Sequence, residues 1–353
     1  MEKVSRRALM GGVAAMGGFG LVGSGLAGQA HAQAGRVVNL YTARHYDTDE
    51  AIYTNFTRAT GIRINRIEAD ADKLMERMRA EGANSPADIF VAVDAGRLWR
   101  AHAAGLLAPV RSVVLETAIP ANFREPGGHW FGLSKRVRAI AYDKARVAPA
   151  DIATYASLAD PKWKGKILVR SSTHVYNQSL VGAMIAHNGE PATEAWAKGL
   201  VANFARAPRG GDTDQLRGIA AGEGEIGLVN HYYYANLAVS TKSEDQAVIA
   251  KVGLAFPEQA AGRPGTHANI AGAGLARHSP NRAEAVRFLE YLVSAEAQSI
   301  FAEGNNEFPI VQGARLSPIL RQFGEFREDA IDAALFGRNN EAALKLTDRA
   351  GWR

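Results

Sequence analysis

Three segments of this sequence set a histidine one or two residues before a tyrosine: His45-Tyr46, His174-Val175-Tyr176 and His231-Tyr232-Tyr233-Tyr234. A single tyrosine of this kind is ordinarily a half-buried ring with a hydrogen-bonded hydroxyl. Together they raise a chemical question, because a phenol ionises only near pH 10 and is a poor general base at neutral pH. A hard, highly charged cation changes this by deprotonating its ligands, and hard ions select oxygen donors. Tyrosinate on Fe(III) is the natural match. Four phenolates around a trivalent ion carry one excess negative charge, for which Arg138 is a candidate counter-ion. The histidines offer a competing set, a divalent ion such as zinc on His45, His174 and His231, but their spacing is wide and unspecific.

Residues so far apart meet only if the fold delivers them. Each tyrosine segment comes shortly after an expected strand, and in open α/β sheets the carboxyl ends of strands border the ligand crevice. Val37–Tyr41 reads as a strand, Asp47–Glu50 as a cap and acidic first turn for a helix that Gly61 stops, Ile62–Ile67 as a strand, Ala71–Glu81 as an amphipathic helix, and Asp88–Val93 as a buried strand. This β-α-β-α-β run predicts a parallel sheet with helices on its faces. A second series follows: a strand at Lys166–Val169, helices over 177–187, 191–203 and 212–221, and a strand at Ile226–Val229. Ser279-Pro280 predicts a long helix through Glu296 with proline at its first position. Adjacent strand residues face opposite sides, so Tyr232 and Tyr233 share an ion only if the strand has ended before them, and Asn230 favours a turn there.

The two series have no Gly/Ser-rich linker between them, which suggests lobes joined by strands. The extended, glycine-containing stretches 130–143 and 267–277 are the candidates to cross, with a cleft between the lobes. The expected lobes are 33–133 with 268–310, and 134–267 with 311–353. Gly222-Glu223-Gly224 and Gly272-Ala273-Gly274 lack the third glycine of a nucleotide loop and read as turns or close backbone approaches.

With 353 residues, 47% hydrophobic, 36 Gly and no Cys, the chain is globular and long enough for two cores. The missing cysteines exclude disulfide scaffolds, iron–sulfur clusters and thiol chemistry. Residues 1–32 read as a removable twin-arginine leader, from Ser5-Arg6-Arg7 and the weakly apolar stretch that follows to the A-x-A site Ala30-His31-Ala32. Its loss removes Glu2, Lys3, Arg6 and Arg7 and lowers the net charge from +5 to +3. No Lys/Arg-rich run appears, so nucleic acid is not an expected partner.

Arg44-His45-Tyr46 with Asp47-Thr48-Asp49, Ser134-Lys135-Arg136, Arg170-Ser171-Ser172 with Tyr176-Asn177-Gln178-Ser179-Leu180, and Asn230 with Tyr232-Tyr233 resemble the ferric-ion-binding periplasmic proteins of bacterial ABC iron transporters, in their cyanobacterial-type branch. The resemblance extends over essentially the whole mature chain. It implies a monomeric, non-enzymatic two-lobed α/β protein of the type II periplasmic binding protein fold, each lobe a mixed sheet flanked by helices, which closes on iron, Fe(III) or else Fe(II), and delivers it to a membrane permease. It also places the metal ligands at Tyr46, Tyr176, Tyr232 and Tyr233, with His45 as an optional fifth. The chain departs from the family at His231, where a small polar residue is expected, and at the third tyrosine, Tyr234, so which two of Tyr232, Tyr233 and Tyr234 bind stays open. The alternatives are a binding protein of the same fold for an organic cation such as a polyamine or thiamine, and an exported hydrolase, although G-x-S-x-G and H-E-x-x-H are absent.

Overall fold

A computed structural model describes residues 36–353; the expected leader lies outside the described residues. The first strands are β1 (Val37–Thr42), β2 (Arg63–Glu68) and β3 (Ile89–Val93), connected by helices α1 (Asp49–Thr60) and α2 (Ala71–Glu81). β1 pairs in parallel with both β2 and β3, as the β-α-β-α-β pattern requires. Gly61 ends α1 in the left-handed conformation (φ 70°), its N–H returning to Thr57 O at 2.8 Å. The cap itself differs from expectation. α1 starts at Asp49, and Thr48, the residue before it, directs its hydroxyl to Asn305 rather than to the helix.

The remaining strands are β4 (Leu107–Ala108), β5 (Phe131–Asp143), β6 (Ile167–Leu168), β7 (Ile226–Asn230), β8 (Val252–Ala255), β9 (Ala268–Ala276) and β10 (Phe308–Pro309). Their main path runs β2-β1-β3-β9-β5-β7-β6. β9 enters antiparallel beside β3, so the sheet is mixed. β5 is the element shared by both halves: residues 131–137 pair with β9, and residues 138–143 with β7 and β8. The second passage between the halves is made by residues 256–267, between β8 and β9, rather than by β9, which pairs throughout with strands of the first half. Gly272 and Gly274 of β9 are close approaches: a Cβ would lie 2.6 Å from Phe131 O at the first and 2.4 Å from His129 O at the second. Gly222 is a left-handed helix end (φ 81°), as a turn residue should be.

Among the described residues, three apolar cores result. One surrounds β1, β3, β9 and the first half of β5. Two others surround the second half of β5 with β6, β7 and β8. The stretch 311–353 is divided between them, with Leu320 and Phe336 in the first core, and Leu346 and Trp352 in the second.

The helix expected from Pro280 through Glu296 is two helices, Arg282–Leu292 and Ala295–Gly304. Ser294 takes an extended conformation and its Oγ accepts from the N–H of Ala297, so its capping chemistry starts a new helix inside an otherwise continuous pattern. Pro280 lies ahead of the first helix, which Asn281 precedes directly.

Candidate metal centre

The four phenols come from three loci, each following the carboxyl end of a strand. Tyr46 sits in the loop after β1. Tyr176 occupies the first turn of the helix Val175–Asn188, which follows β6, and Tyr232 and Tyr233 lie in the first turn of the helix His231–Val239, which begins directly after β7. The strand has therefore ended before the tyrosine pair, as a shared ion requires. In a helix, consecutive side chains diverge by about 100° rather than 180°, and the Tyr232 and Tyr233 rings lie 4.3 Å apart, centroid to centroid.

The hydroxyls converge. Tyr176 Oη is 3.0 Å from Tyr232 Oη, and Tyr46 Oη accepts a hydrogen bond of 3.1 Å from Arg136 Nη2, whose guanidinium also lies over the Tyr232 ring. Burial raises the pKa of Tyr46, Tyr232 and Tyr233, and neighbouring phenols push Tyr232 and Tyr233 further up. Left to themselves these phenols are protonated at neutral pH. Only a strongly charged metal would ionise them as a group.

Tyr234 points elsewhere. Its hydroxyl donates to Val252 O at 3.2 Å and its ring belongs to an apolar core. By position, then, Tyr232 and Tyr233 rather than Tyr234 lie with the other phenols. His231 does not intrude either: fully buried, it accepts from the Val137 N–H on Nδ1 (3.1 Å) and donates from Nε2 to Asn306 O (3.0 Å). Burial lowers its pKa to about 3, so it stays neutral and ties the helix start to β5. His174 caps the Tyr176 helix, its Nδ1 accepting from the Tyr176 N–H at 3.3 Å. His45 is not drawn into the group. Half exposed, it faces Glu68 at the end of β2, with Nδ1 3.6 Å from Oε2. With one imidazole at the rim, one used as a cap and one sealed in the interior, the zinc set His45, His174 and His231 has no common centre.

A buried charge network backs the phenols. Arg44 binds Asp49 (2.8 Å) and Glu307 (3.0 Å), Arg136 binds Glu307 (2.6 Å), and Asp212 receives both Arg138 (2.7 Å) and Arg170 (3.2 Å). Arg44 lies over the Tyr46 ring, and Arg138 and Arg170 over that of Tyr176. Within these ion pairs four guanidiniums against three carboxylates leave one positive charge, equal to the single excess charge of a trivalent ion in four phenolates; Asp94, buried beside them, is held by Ser179 and Asn269 instead. Arg138, the expected counter-ion, is present but engaged with Asp212 and Asn177. The guanidinium touching a phenol oxygen is that of Arg136, two residues earlier. Arg136 Nη1, Arg138 Nε and Arg170 Nε are buried without a hydrogen-bond partner, and a cavity with room for about one water molecule lies among Asp94, Arg136, Arg138, Tyr176 and Asn230. Glu307 and Asp212 escaped notice in the sequence. Asp212 looks there like an ordinary helix start, and Glu307 like one of three polar residues ahead of Phe308.

Glu307 should be a stability determinant in its own right. Burial alone would raise its pKa, but Arg136, Arg44 and the Ser134 hydroxyl at 2.5 Å bring it down to about 2. A depressed carboxyl stabilises the fold above its unfolded pKa near 4.5 and loses that contribution as pH falls towards 2. Glu307→Gln strips Arg136 of its only carboxylate partner among the described residues and is expected to cost about 3–5 kcal/mol at pH 7. Urea unfolding of both proteins checks this, and the gap between them should narrow below about pH 4.

The model of the bacterial extracellular solute-binding protein family matches residues 51–326. The chain belongs to that family. Among relatives of this solute-binding protein, "Iron uptake protein A2" of Synechocystis sp. is 48% identical over 351 residues, 99% of either chain. The solved Trichodesmium protein in complex with iron and citrate ligands is 53% identical with a TM-score of 0.87, covering 90% of this chain and 100% of its own. The ferric binding protein from Campylobacter jejuni is 40% identical with a TM-score of 0.84 over 90% and 100%. The solute-binding protein has the type II periplasmic binding protein fold of these neighbours.

Proposed function

We propose that this protein is the periplasmic receptor of an ABC iron transporter: it captures Fe(III) through Tyr46, Tyr176, Tyr232 and Tyr233 and hands it to a membrane permease. Iron is the cargo of its relatives. The observation that carries the ferric form is the convergence of phenol hydroxyls, with Tyr176 and Tyr232 3.0 Å apart and Arg136 on Tyr46, inside a network whose net charge complements Fe³⁺ in four phenolates. Fe(II), with less charge, would ionise phenols less readily. His45 stays outside the ligand set, and water or a small anion beside the unpaired arginine donors completes the coordination.

An organic cation finds little counter-charge here: Asp94, which lines the cavity, is taken up by Ser179, Asn269 and the Gly96 N–H, and Glu307, Asp212 and Asp49 each already hold a guanidinium. The same pairing removes these carboxylates from hydrolytic work. The function is binding, as in the relatives. The two halves act as lobes that close on iron, flexing at the middle of β5 and at 256–267, with 311–353 packed partly on each rather than on the second lobe alone. Export follows the twin-arginine route, directed by residues 1–32 and leaving a monomeric receptor in the periplasm.

Metal analysis with an absorption spectrum tests the reading. Iron-loaded protein should show a visible phenolate-to-Fe(III) charge-transfer band that bleaches on reduction. A colourless protein that takes up zinc stoichiometrically instead of iron would sink it.

A further inference from the structure

Away from the phenols, one group of side chains has the composition of a transition-metal site. His102 lies in the last turn of the helix Ala95–Ala103, and Glu125 and His129 flank a tight turn. That turn is firmly held. Gly128 N–H donates to Glu125 O (2.8 Å), Glu125 N–H to Trp130 O (3.0 Å), and Val110 N–H to Gly128 O (2.9 Å). Gly128 has φ 83°, and a Cβ there would meet Val110 O at 2.1 Å, so only glycine serves and the turn has little freedom. The rings of His102 and His129 stack at 3.9 Å with 14° between planes, and His129 Nδ1 lies 2.9 Å from Glu125 Oε2. One donor atom from each of the three residues falls within 4.8 Å of the others. All three side chains are half buried, dry enough to favour coordination and open enough for an ion to enter.

We propose that His102, Glu125 and His129 form a second metal site, for a borderline divalent cation of the Zn²⁺ class. Two imidazoles and a carboxylate are the donor set zinc takes in sites that keep a fourth position open to water. Bonds of about 2.0–2.1 Å in a tetrahedron need donors roughly 3.3 Å apart, and on binding the two stacked rings tilt out of parallel so that both in-plane nitrogens face the ion. The site shares no residue with the phenol cluster. Its donors also select differently: imidazole suits borderline ions, phenolate a hard one. Both sites therefore fill at once. The helix carrying His102 is capped by Asp94, which lines the cavity behind Tyr176, so His102 stands about 12 Å farther along the helix axis at 1.5 Å per residue.

The test uses iron-saturated protein, whose phenols are occupied, titrated with Zn²⁺ in competition with a chromophoric chelator. The expected result is saturable uptake of one Zn²⁺ per chain, weakened ~10-fold or more by His102→Gln and by His129→Gln, with the iron absorption band unchanged. X-ray absorption at the zinc edge of the unmutated protein should show imidazole scattering, which keeps the proposal testable if a variant folds poorly. Absence of saturable uptake, uptake that survives both substitutions, or a zinc spectrum without imidazole would overturn it.

Discussion

Tyr233→Phe is expected to weaken Fe(III) binding by about 100-fold or more while barely moving the melting temperature. The substitution keeps the ring, and with it the tilted 4.3 Å contact with Tyr232, and deletes only the oxygen. Loss of a residue that merely orients a metal ligand already costs about 10–100-fold in affinity, so loss of a ligand should cost at least that. The folded state gives up a single hydroxyl, about 1 kcal/mol or less, equal to at most about 2 °C in a chain of this size. Tyr234→Phe is the internal control. Its hydroxyl serves Val252 O rather than the phenol cluster, so iron affinity should hold and a comparable small loss of stability should appear. Competition with a ferric chelator and thermal melting read the two quantities separately. Equal affinities for the two variants would return Tyr233 to the status of a packing ring.

Acidification should release the iron, and steeply. Burial raises Tyr46, Tyr232 and Tyr233 above the ordinary phenol value near 10, so throughout the range from about pH 5 to 8 each of these proposed ligands holds a proton that a bound metal would have to displace. Protons and iron then compete for the same oxygens, and every proton displaced contributes about one decade of affinity per pH unit. Lower pH weakens binding and higher pH strengthens it, with at least about a 100-fold change expected over one unit if two or more phenols titrate with the ion. Arg136 moderates this at Tyr46, where its charge favours the phenolate. Iron partition against a chelator of known protonation, measured between about pH 5 and 8, gives the slope. A flat profile would mean that the phenols are not ligands.

Local order was plain from the residues. Apolar periodicity and Gly61 mark out the β-α-β-α-β half almost to the residue, because helix and strand signals depend on neighbours three or four positions away or fewer. The long helix expected after Pro280 shows the limit of periodicity: one serine, extended and capping, splits a continuous apolar pattern in two. The tyrosines themselves were legible as chemistry because phenols repeat at the ends of strands.

Which neighbours they would meet was not. Arg136 and Arg138 stand two apart on β5 and so share a face of the strand, and nothing local distinguishes them. Glu307 takes the first and Asp212 the second, carboxylates 171 and 74 residues away in the chain. Likewise His45 lies beside Glu68 of the adjacent strand, and Val252 O claims Tyr234. Residue types and their spacing thus settled what chemistry was available and where the elements lie, whereas the pairing of buried charges was decided by strand register and long-range packing. The reason is energetic: a guanidinium far from water demands a carboxylate, and only the folded chain determines which one is within reach.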